Sequence, residues 1–421
     1  MSREMKNSGV PWIGEIPRSW SIMPHKRVMH KVKEIQEHYN GENILSLTMR
    51  GVIVRDLDAG GKMPTTFDGY QKVYPNNLLQ CLFDIDVTPR CVGLIKDEGL
   101  TSPAYSQFAM YSNGYAPYYD YLLRYMDDRK TLLHLSKNLR SSLTETDFGA
   151  ILTCVPPIAE QQKITEFLDT KCGEVDEMIA LQEQIIEELK AYKQSVITEA
   201  VTKGLTPYVP MKDSGIEWIG EIPKHWCIDK VIRSFGLIGS GTTPKSTEDD
   251  NFVGNIRWIQ SGDINGGIMF ECKNRISEST LKKTSALKVY NPPFIIVAMY
   301  GASVGNTSIS IIDGCVNQAC CVLNDTHLNL DYTFNVIKTC KDYWLRKAVG
   351  GGQPNISQDT IKSTWIPIPP TNEQQSIADY LDKKCSEIDK LISIKQQKIE
   401  SLKEYKKSII YEYVTGKKEV V

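Results

Sequence analysis

The chain is written twice. Residues 5–20 read MKNSGVPWIGEIPRSW and residues 211–226 read MKDSGIEWIGEIPKHW, with eleven of sixteen positions identical. A longer pair begins PPIAEQQKITEFLD at Pro156 and PPTNEQQSIADYLD at Pro369, and 25 of its 47 positions are identical. The order is short motif, variable block, long motif, then the same again. Two copies are too few for a solenoid. The blocks between, about 21–155 and 227–368, share only echoes: Val92-Gly93 with Val304-Gly305, and Arg140-Ser141-Ser142-Leu143 in the place of Gln353-Pro354-Asn355-Ile356. A repeated frame around two unlike inserts implies one scaffold carrying two different recognition surfaces.

The long motif predicts a helix. Steps of four and three from Leu168 reach Cys172, Val175, Ile179, Gln182, Ile186, Leu189, Lys193, Val196 and Ala200. The second copy gives Leu381, Cys385, Ile388, Ile392, Lys395, Ile399, Leu402, Lys406, Ile409 and Tyr413. Eight of ten positions are apolar in each, and the polar exceptions coincide. This is a 3.5-residue seam of the coiled-coil kind. Residues 160–203 hold five Lys and ten acids, whereas residues 373–421 hold ten Lys and nine acids. The two helices therefore suit each other better than copies of themselves. An antiparallel pair leaves room for the insert that separates them in sequence.

The inserts read as mixed α/β globules. Asn43–Leu47, Asn255–Ile259 and Phe294–Met299 have strand character between turn residues, and Tyr118–Met126 and Asp331–Ala348 have helix character. Across 421 residues, 49 Lys and Arg stand against 51 Asp and Glu, a net charge of −2. This excludes a uniformly basic coat but not a local basic patch. The eleven cysteines form no CxxC pair, and the N-terminus has no apolar leader, which fits reduced thiols in a cytosol. The apolar run Phe294–Tyr300 is too short to span a bilayer. A soluble cytoplasmic protein is expected.

Three motifs suggest chemistry and fall short of it. Gly239-Ser240-Gly241-Thr242-Thr243-Pro244-Lys245-Ser246 approaches a P-loop, but Pro244 stands where glycine is needed and has no N–H for a phosphate. Asn291-Pro292-Pro293-Phe294 looks like the NPPF signature of adenine-N6 methyltransferases, but its apolar run follows the motif, and no Gly-rich cofactor turn precedes it. Asp263, Glu271 and Lys273 form a D…ExK string of the kind that holds Mg²⁺ in some nucleases. Its first spacing is short, and Gly266-Gly267 predicts a hairpin between. No catalytic residue and no metal or cofactor ligand is assigned. Trp12, Trp20, Trp218 and Trp226 read as packing residues that pin each insert to the helices.

The pieces WIGEIPxxW (Trp12–Trp20, Trp218–Trp226) and PPxxEQQxI (Pro156–Ile164, Pro369–Ile377) occur as a pair. With them stand Gly350-Gly351-Gly352-Gln353-Pro354-Asn355-Ile356-Ser357 and Trp258-Ile259-Gln260-Ser261-Gly262-Asp263-Ile264. On these motifs the whole chain resembles the specificity subunit of type I restriction-modification systems. The first insert departs at Lys137–Ser142, which lacks the Gly-Gln-Pro-Asn run. The resemblance implies two similar α/β target-recognition domains separated by an antiparallel coiled coil of two long helices. The expected parts are a first domain at 1–155, a central helix at 156–206, a second domain at 207–368 and a C-terminal helix at 369–421.

The resemblance further implies a non-catalytic subunit that reads an asymmetric bipartite site on double-stranded DNA, one half per domain. Its partners would be two methyltransferase subunits and two restriction/translocase subunits, with no membrane. S-adenosylmethionine, ATP and Mg²⁺ would belong to those partners. Base readers are expected among polar residues on protruding loops, backed by cations. In the first insert these are Arg90, Ser102, Tyr105, Lys137, Arg140 and Ser142. In the second they are Lys245, Gln260, Tyr300, Ser303, Asn306, Gln318, Gln353 and Asn355. The alternatives are a stand-alone adenine methyltransferase using Asn291–Phe294, and an adaptor that binds only protein.

Overall fold

The computed structural model describes residues 3–59, 64–135, 141–245, 249–348 and 354–420. The chain divides into two compact units, Met1–Glu183 with Gln396–Val421, and Gln184–Lys395.

In the first unit, strands β1 (Met29–Val32), β2 (Leu78–Gln80), β3 (Val92–Leu94) and β4 (Ser106–Met110) form an antiparallel sheet in the order β1-β4-β2-β3. Helix α1 (Ala116–Asp128) buries Tyr118, Tyr119, Leu122, Leu123 and Met126 in the core that also takes Leu78 and Val92 of the sheet. The spacing of these residues gives α1 one broad apolar face. Ser21–Pro24 pairs antiparallel with Leu152–Val155, which ties the two ends of the insert together. Helix α2 (Ile158–Lys203) begins just after Pro156-Pro157, where a missing N–H costs nothing.

The second unit repeats this plan with a larger sheet. Among the unit's strands, β5 (Phe235–Gly239), β7 (Phe294–Ala298), β8 (Thr307–Ser310) and β10 (Cys320–Thr326) lie in that sheet, whereas β6 (Ile256–Ile259) and β9 (Cys315–Val316) pair in parallel in a separate one. The order β5-β10-β7-β8 matches that of the first sheet, and Ile268–Met269 adds an edge. Strand β7 is buried on both faces, with Ile295 and Val297 in one core and Phe294, Ile296 and Ala298 in another. That division is the period-two alternation of a strand. The stretch predicted as one helix, Asp331–Ala348, breaks at Cys340 into α3 (Leu330–Thr339) and Lys341–Lys347. The break brings Trp344 into the same core as Tyr332 and Val336, where its indole donates to Thr364 Oγ1 at 2.8 Å. Cys227–Lys230 pairs with Trp365–Ile368 to close this insert as in the first unit.

Helix α4 (Thr371–Val414) pairs with α2 within each unit. In the first unit, Phe167 meets Tyr413 (centroids 4.3 Å apart) and Lys406 Nζ reaches Asp176 at 2.6 Å. In the second unit, Lys193 Nζ reaches Asp389 at 2.6 Å. Partners fall along α4 as they rise along α2, so the pairing is antiparallel. Leu168, Cys172, Val175, Ile186, Val196, Leu381, Ile388, Ile399, Leu402 and Ile409 of the predicted seam are buried. The seam lysines Lys193 and Lys406 turn outward to an acid on the facing helix, which keeps their charge in solvent while the stem covers the seam.

The frame motifs lock to one another through repeated contacts. Trp20 Nε1 donates to Glu160 Oε2 at 2.8 Å, and Trp226 Nε1 to Glu373 Oε2 at 2.9 Å. Both indoles are buried, as the sequence led one to expect. Gln161 Oε1 accepts from Tyr115 N, and its Nε2 donates to the Pro156 carbonyl; Gln374 does the same with Asn329 N and the Pro369 carbonyl. Tyr118 Oη donates to the Val414 carbonyl at 2.6 Å, and Tyr332 Oη to that of Val201 at 3.4 Å. Each long helix is followed by a left-handed glycine, Gly204 (φ +76°) or Gly416 (φ +70°). A Cβ on Gly204 would lie 3.0 Å from the Trp226 ring, and one on Gly416 would lie 2.4 Å from Pro17. Both the turn and the close approach require glycine.

Candidate nucleic-acid interface

In the second unit, β6, β7 and β9 end, and β10 begins, at one rim of the fold. Backbone bonds gather the loops there: Asn317 N to Ile259 O at 3.0 Å, Met299 N to Ala319 O at 2.7 Å, Gly301 N to Pro354 O at 3.0 Å and Ile356 N to Met299 O at 3.0 Å. Tyr300 and Asn355 form an antiparallel bridge, and both are exposed. Ser303 Oγ donates to the Tyr300 carbonyl at 3.2 Å. Thr243 Oγ1 donates to Gln318 Oε1 at 2.6 Å, which brings the 240–245 segment to the same rim. Gln260, Tyr300, Ser303, Gln318 and Asn355 therefore belong to one continuous group of loops. Asn306, at the end of the β7–β8 loop, accepts from Lys341 Nζ at 2.8 Å. Lys245 is exposed, and its carbonyl accepts from Asn251. Gln353 lies outside the described residues.

The first unit builds the same rim from different residues. Leu143 N donates to Leu82 O at 2.8 Å and Ile85 N to Ser141 O at 3.1 Å, which match the bonds of Ile356 and Gly301. Cys81 N to Cys91 O matches Ala298 N to Asn306 O. Ala104 N donates to Ser102 Oγ at 3.3 Å, where Ala319 N donates to Asn317 Oδ1 at 3.1 Å. Ser142 thus takes the position of Asn355, and Ser102 that of Asn317. The carbonyls of Ser102 and Tyr105 are braced from below by the buried Gln71 amide, at 2.8 and 2.7 Å. Burial raises the Tyr105 phenol above its ordinary pKa. Lys137 and Arg140 lie outside the described residues.

Arg90 has a different setting from the one expected of a base reader. Its Nη1 lies 3.3 Å from Asp127 and 2.9 Å from Asp128, and the side chain is largely buried. Asp127 also accepts from Cys91 N at 2.9 Å. The guanidinium thereby fastens the β2–β3 loop to the end of α1. Sequence reasoning passed over Phe83, Thr243 and Asn317, all of which the loops bring to the rims. Matching Gly99-Leu-Thr-Ser-Pro-Ala to Gly314-Cys-Val-Asn-Gln-Ala would have pointed to Asn317.

The three chemical motifs have structural settings. Asn291, Pro292 and Pro293 are exposed and open β7, and the Asn291 carbonyl accepts from Asn324 Nδ2 at 3.0 Å. This asparagine is exposed and precedes its strand instead of closing it, so the methyltransferase alternative has no support here. In the P-loop-like segment, Gly241 packs so close to the Val316 carbonyl that a Cβ would lie 1.7 Å from it, and Pro244 is buried. Asp263 caps its own turn by accepting from Gln260 N at 2.9 Å, and Glu271 lies 3.3 Å from Arg275. The expected hairpin at Gly266-Gly267 is corrected: Ile268–Met269 joins β8 in parallel instead of folding back on β6. Gly266, at φ +91°, turns the chain from one sheet to the other. Among the described residues, no group of three or more His, Cys, Asp or Glu is placed to hold a metal. Burial raises the thiols of Cys81, Cys91 and Cys320, so none of these rim cysteines is an activated nucleophile.

Residues 226–404 match the family described as "Type I restriction modification DNA specificity domain". The putative type I restriction enzyme MjaX specificity subunit of Methanocaldococcus jannaschii is 27% identical over 316 residues, covering 72% of this chain and 69% of that protein. The type I restriction enzyme EcoBI specificity subunit of Escherichia coli is 26% identical over 270 residues, covering 59% of this chain and 52% of that protein. A solved structure reported as "Structural basis underlying complex assembly and conformational transition of the type I R-M system" contains a chain with a TM-score of 0.71 at 16% identity. The match covers 95% of this chain and 98% of that one. The HsdS subunit from Thermoanaerobacter tengcongensis matches with a TM-score of 0.54 at 18% identity, over 95% and 98% of the two chains. These two structures share the fold. No helix among the described residues is long and apolar enough to cross a membrane.

Proposed function

From the premise that this chain belongs to the family of type I restriction enzyme specificity subunits, we propose that each of its two units reads one half of an interrupted DNA site. The observation that carries the reading is the repeated rim: one backbone scaffold, drawn twice, presenting Ser102 and Ser142 in one unit and Asn317 and Asn355 in the other. Sequence is read by polar groups that reach base edges, so unlike groups on like scaffolds read unlike half-sites. Identical halves would demand a palindrome; these halves specify an asymmetric site. The recognition domains are 1–155 and 207–368, and the helices 156–206 and 369–421 set the gap between half-sites.

The subunit carries no catalysis and no cofactor of its own. It works in the cytoplasm, where it directs two methyltransferase subunits that use S-adenosylmethionine and two restriction/translocase subunits that use ATP and Mg²⁺. A pair of methyltransferases is favoured by a second duplication. Met178 and Leu181 on α2 in the first unit are exposed apolar residues outside the seam, and Leu391 and Ile394 are exposed at the same places on α4 in the second. Repeated apolar stripes suit two copies of one protein partner.

The test is co-expression with the partner methyltransferase, followed by methylation-sensitive sequencing of the host genome. An interrupted asymmetric methyl-adenine motif that disappears when this chain is omitted is the expected result. Methylation that persists without the chain, or a motif without a gap, would overturn the reading.

A further inference from the structure

Phe83 and Tyr300 occupy the same place in the two units. Phe83 follows Leu82, whose carbonyl accepts from Leu143 N; Tyr300 follows Met299, whose carbonyl accepts from Ile356 N. Both side chains are exposed, at 37% and 39%. An exposed large aromatic at a loop tip gains little for folding, and here the chain carries one at each rim. Phe83 lies stacked over the half-buried Tyr105, with centroids 6.1 Å apart and planes at 28°. Tyr105 is in turn held by the Gln71 amide. Tyr300 is fixed by its bridge to Asn355 and by the Met299 N to Ala319 O bond. Each ring is therefore mounted on a braced backbone.

The surroundings of the two rings differ. Ser142 and Ser102 stand near Phe83, whereas Asn355 and Asn317 stand near Tyr300. What two readers of different sequences share must contact something that different sequences share. In a duplex that is either the phosphate backbone or the flat face of a base. The Tyr300 hydroxyl can donate to a phosphate, but the phenyl ring of Phe83 has no donor at all, so the contact that both rings can make is stacking on the face of a base. Side chains of this type also enter base steps as wedges and unstack them.

We propose that Phe83 and Tyr300 are a matched pair of stacking residues, each pressed into one base step of its own half-site. They supply sequence-tolerant affinity, and the polar neighbours supply the sequence. This inference rests on the DNA-reading function proposed above. It makes the two units alike in how they grip DNA and different in what they read.

The test uses the full chain with its partner methyltransferase subunits and duplexes carrying the methylated motif. 2-Aminopurine is placed in turn at each position of both half-sites. Fluorescence should rise at one step per half-site when the complex forms. Phe83→Ala should abolish the rise in one half-site only, and Tyr300→Ala in the other only. Each should weaken binding about tenfold or more, whereas Phe83→Tyr and Tyr300→Phe retain both signals. Wild-type affinity in the alanine variants, or weakened binding with no step brightened in the wild type, would overturn the stacking role. A wild-type complex that fails to prefer its own motif over unrelated DNA would overturn the DNA-reading function and this inference with it.

Discussion

Trp20 and Glu160 are joined by an indole N–H donating to a carboxylate at 2.8 Å, across 140 positions of sequence. The same bond recurs between Trp226 and Glu373. It explains why the WIGEIPxxW and PPxxEQQ motifs appear together: one ends in the donor and the other carries the acceptor. Glu160 is also paired with Arg3, and Glu373 lies 2.7 Å from His225 Nε2.

A bond from a buried donor to a charged acceptor contributes about 1.5–3 kcal/mol. Trp226→Phe keeps most of the ring and removes the donor. Denaturant unfolding should show a loss of about 2 kcal/mol for it, and a similar loss for Trp20→Phe. An unchanged midpoint in both would mean the bond is not a stabilising element.

His25 is fully buried, and its Nδ1 lies 3.2 Å from the Phe148 carbonyl. Burial holds its pKa at about 4, below the ordinary 6.5. The unfolded chain therefore takes up the proton first. The stability contributed by the neutral ring is complete above about pH 6.5 and is lost as pH falls towards 4, by about 3 kcal/mol in all. Unfolding curves at pH 7 and pH 4.5 should differ less in His25→Asn than in the native chain.

The seam and its outward lysines should respond differently to substitution. Asp176→Asn and Asp389→Asn break ion pairs whose carboxylates are well exposed, and each should cost under about 1 kcal/mol. Leu381→Ala removes a buried seam side chain and should cost about 2–5 kcal/mol. Thermal melts of the three variants at low and high salt would separate packing from charge.

Asn355 bridges Tyr300 at the second rim, and Ser142 takes its place in the first. Asn355→Ser should alter or relax the half-site read by the second unit and leave the other half-site unchanged. The readout is the methylated motif in cells carrying the variant. An unchanged motif would remove Asn355 from the base readers.

Residues 1–206 carry one frame and one insert. Tyr118 donates to the end of α4 in the first unit, and Tyr332 donates to the end of α2 in the second. The α2 end of a second copy can therefore supply what Val414 supplies. The fragment should dimerise, and more tightly at high salt, because residues 160–203 carry ten acids against five lysines. Sedimentation at two salt concentrations would test this; a monomer at both would argue against interchangeable helix ends.

The frame was legible because it is written twice, and because a 3.5-residue seam admits few alternatives. Within the aligned segments Arg140–Leu143 and Gln353–Ile356, the described part, 141–143 with 354–356, coincides, since Leu143 and Ile356 make the same bond to the preceding loop. The echo between Val92-Gly93 and Val304-Gly305 was false. Gly93 sits in β3 against Leu47 and Val52, whereas Gly305 is a left-handed turn residue at φ +77°. Two-residue matches carry no register. The pairing of Arg90 with Asp127 and Asp128 was not legible, because a loop arginine looks the same in sequence whatever it faces. Phe83 escaped because a lone aromatic in an insert reads as core until its exposure is known.

The glycines after the two long helices seat each helix end on the frame of its own unit. Gly204 lies beneath Trp226 and Gly416 beneath Trp20, and Lys417 reaches the Glu15 carbonyl. The anchoring of each insert then depends only on its own frame, so an insert exchanged between two frame motifs would bring a new half-site without rebuilding the rest.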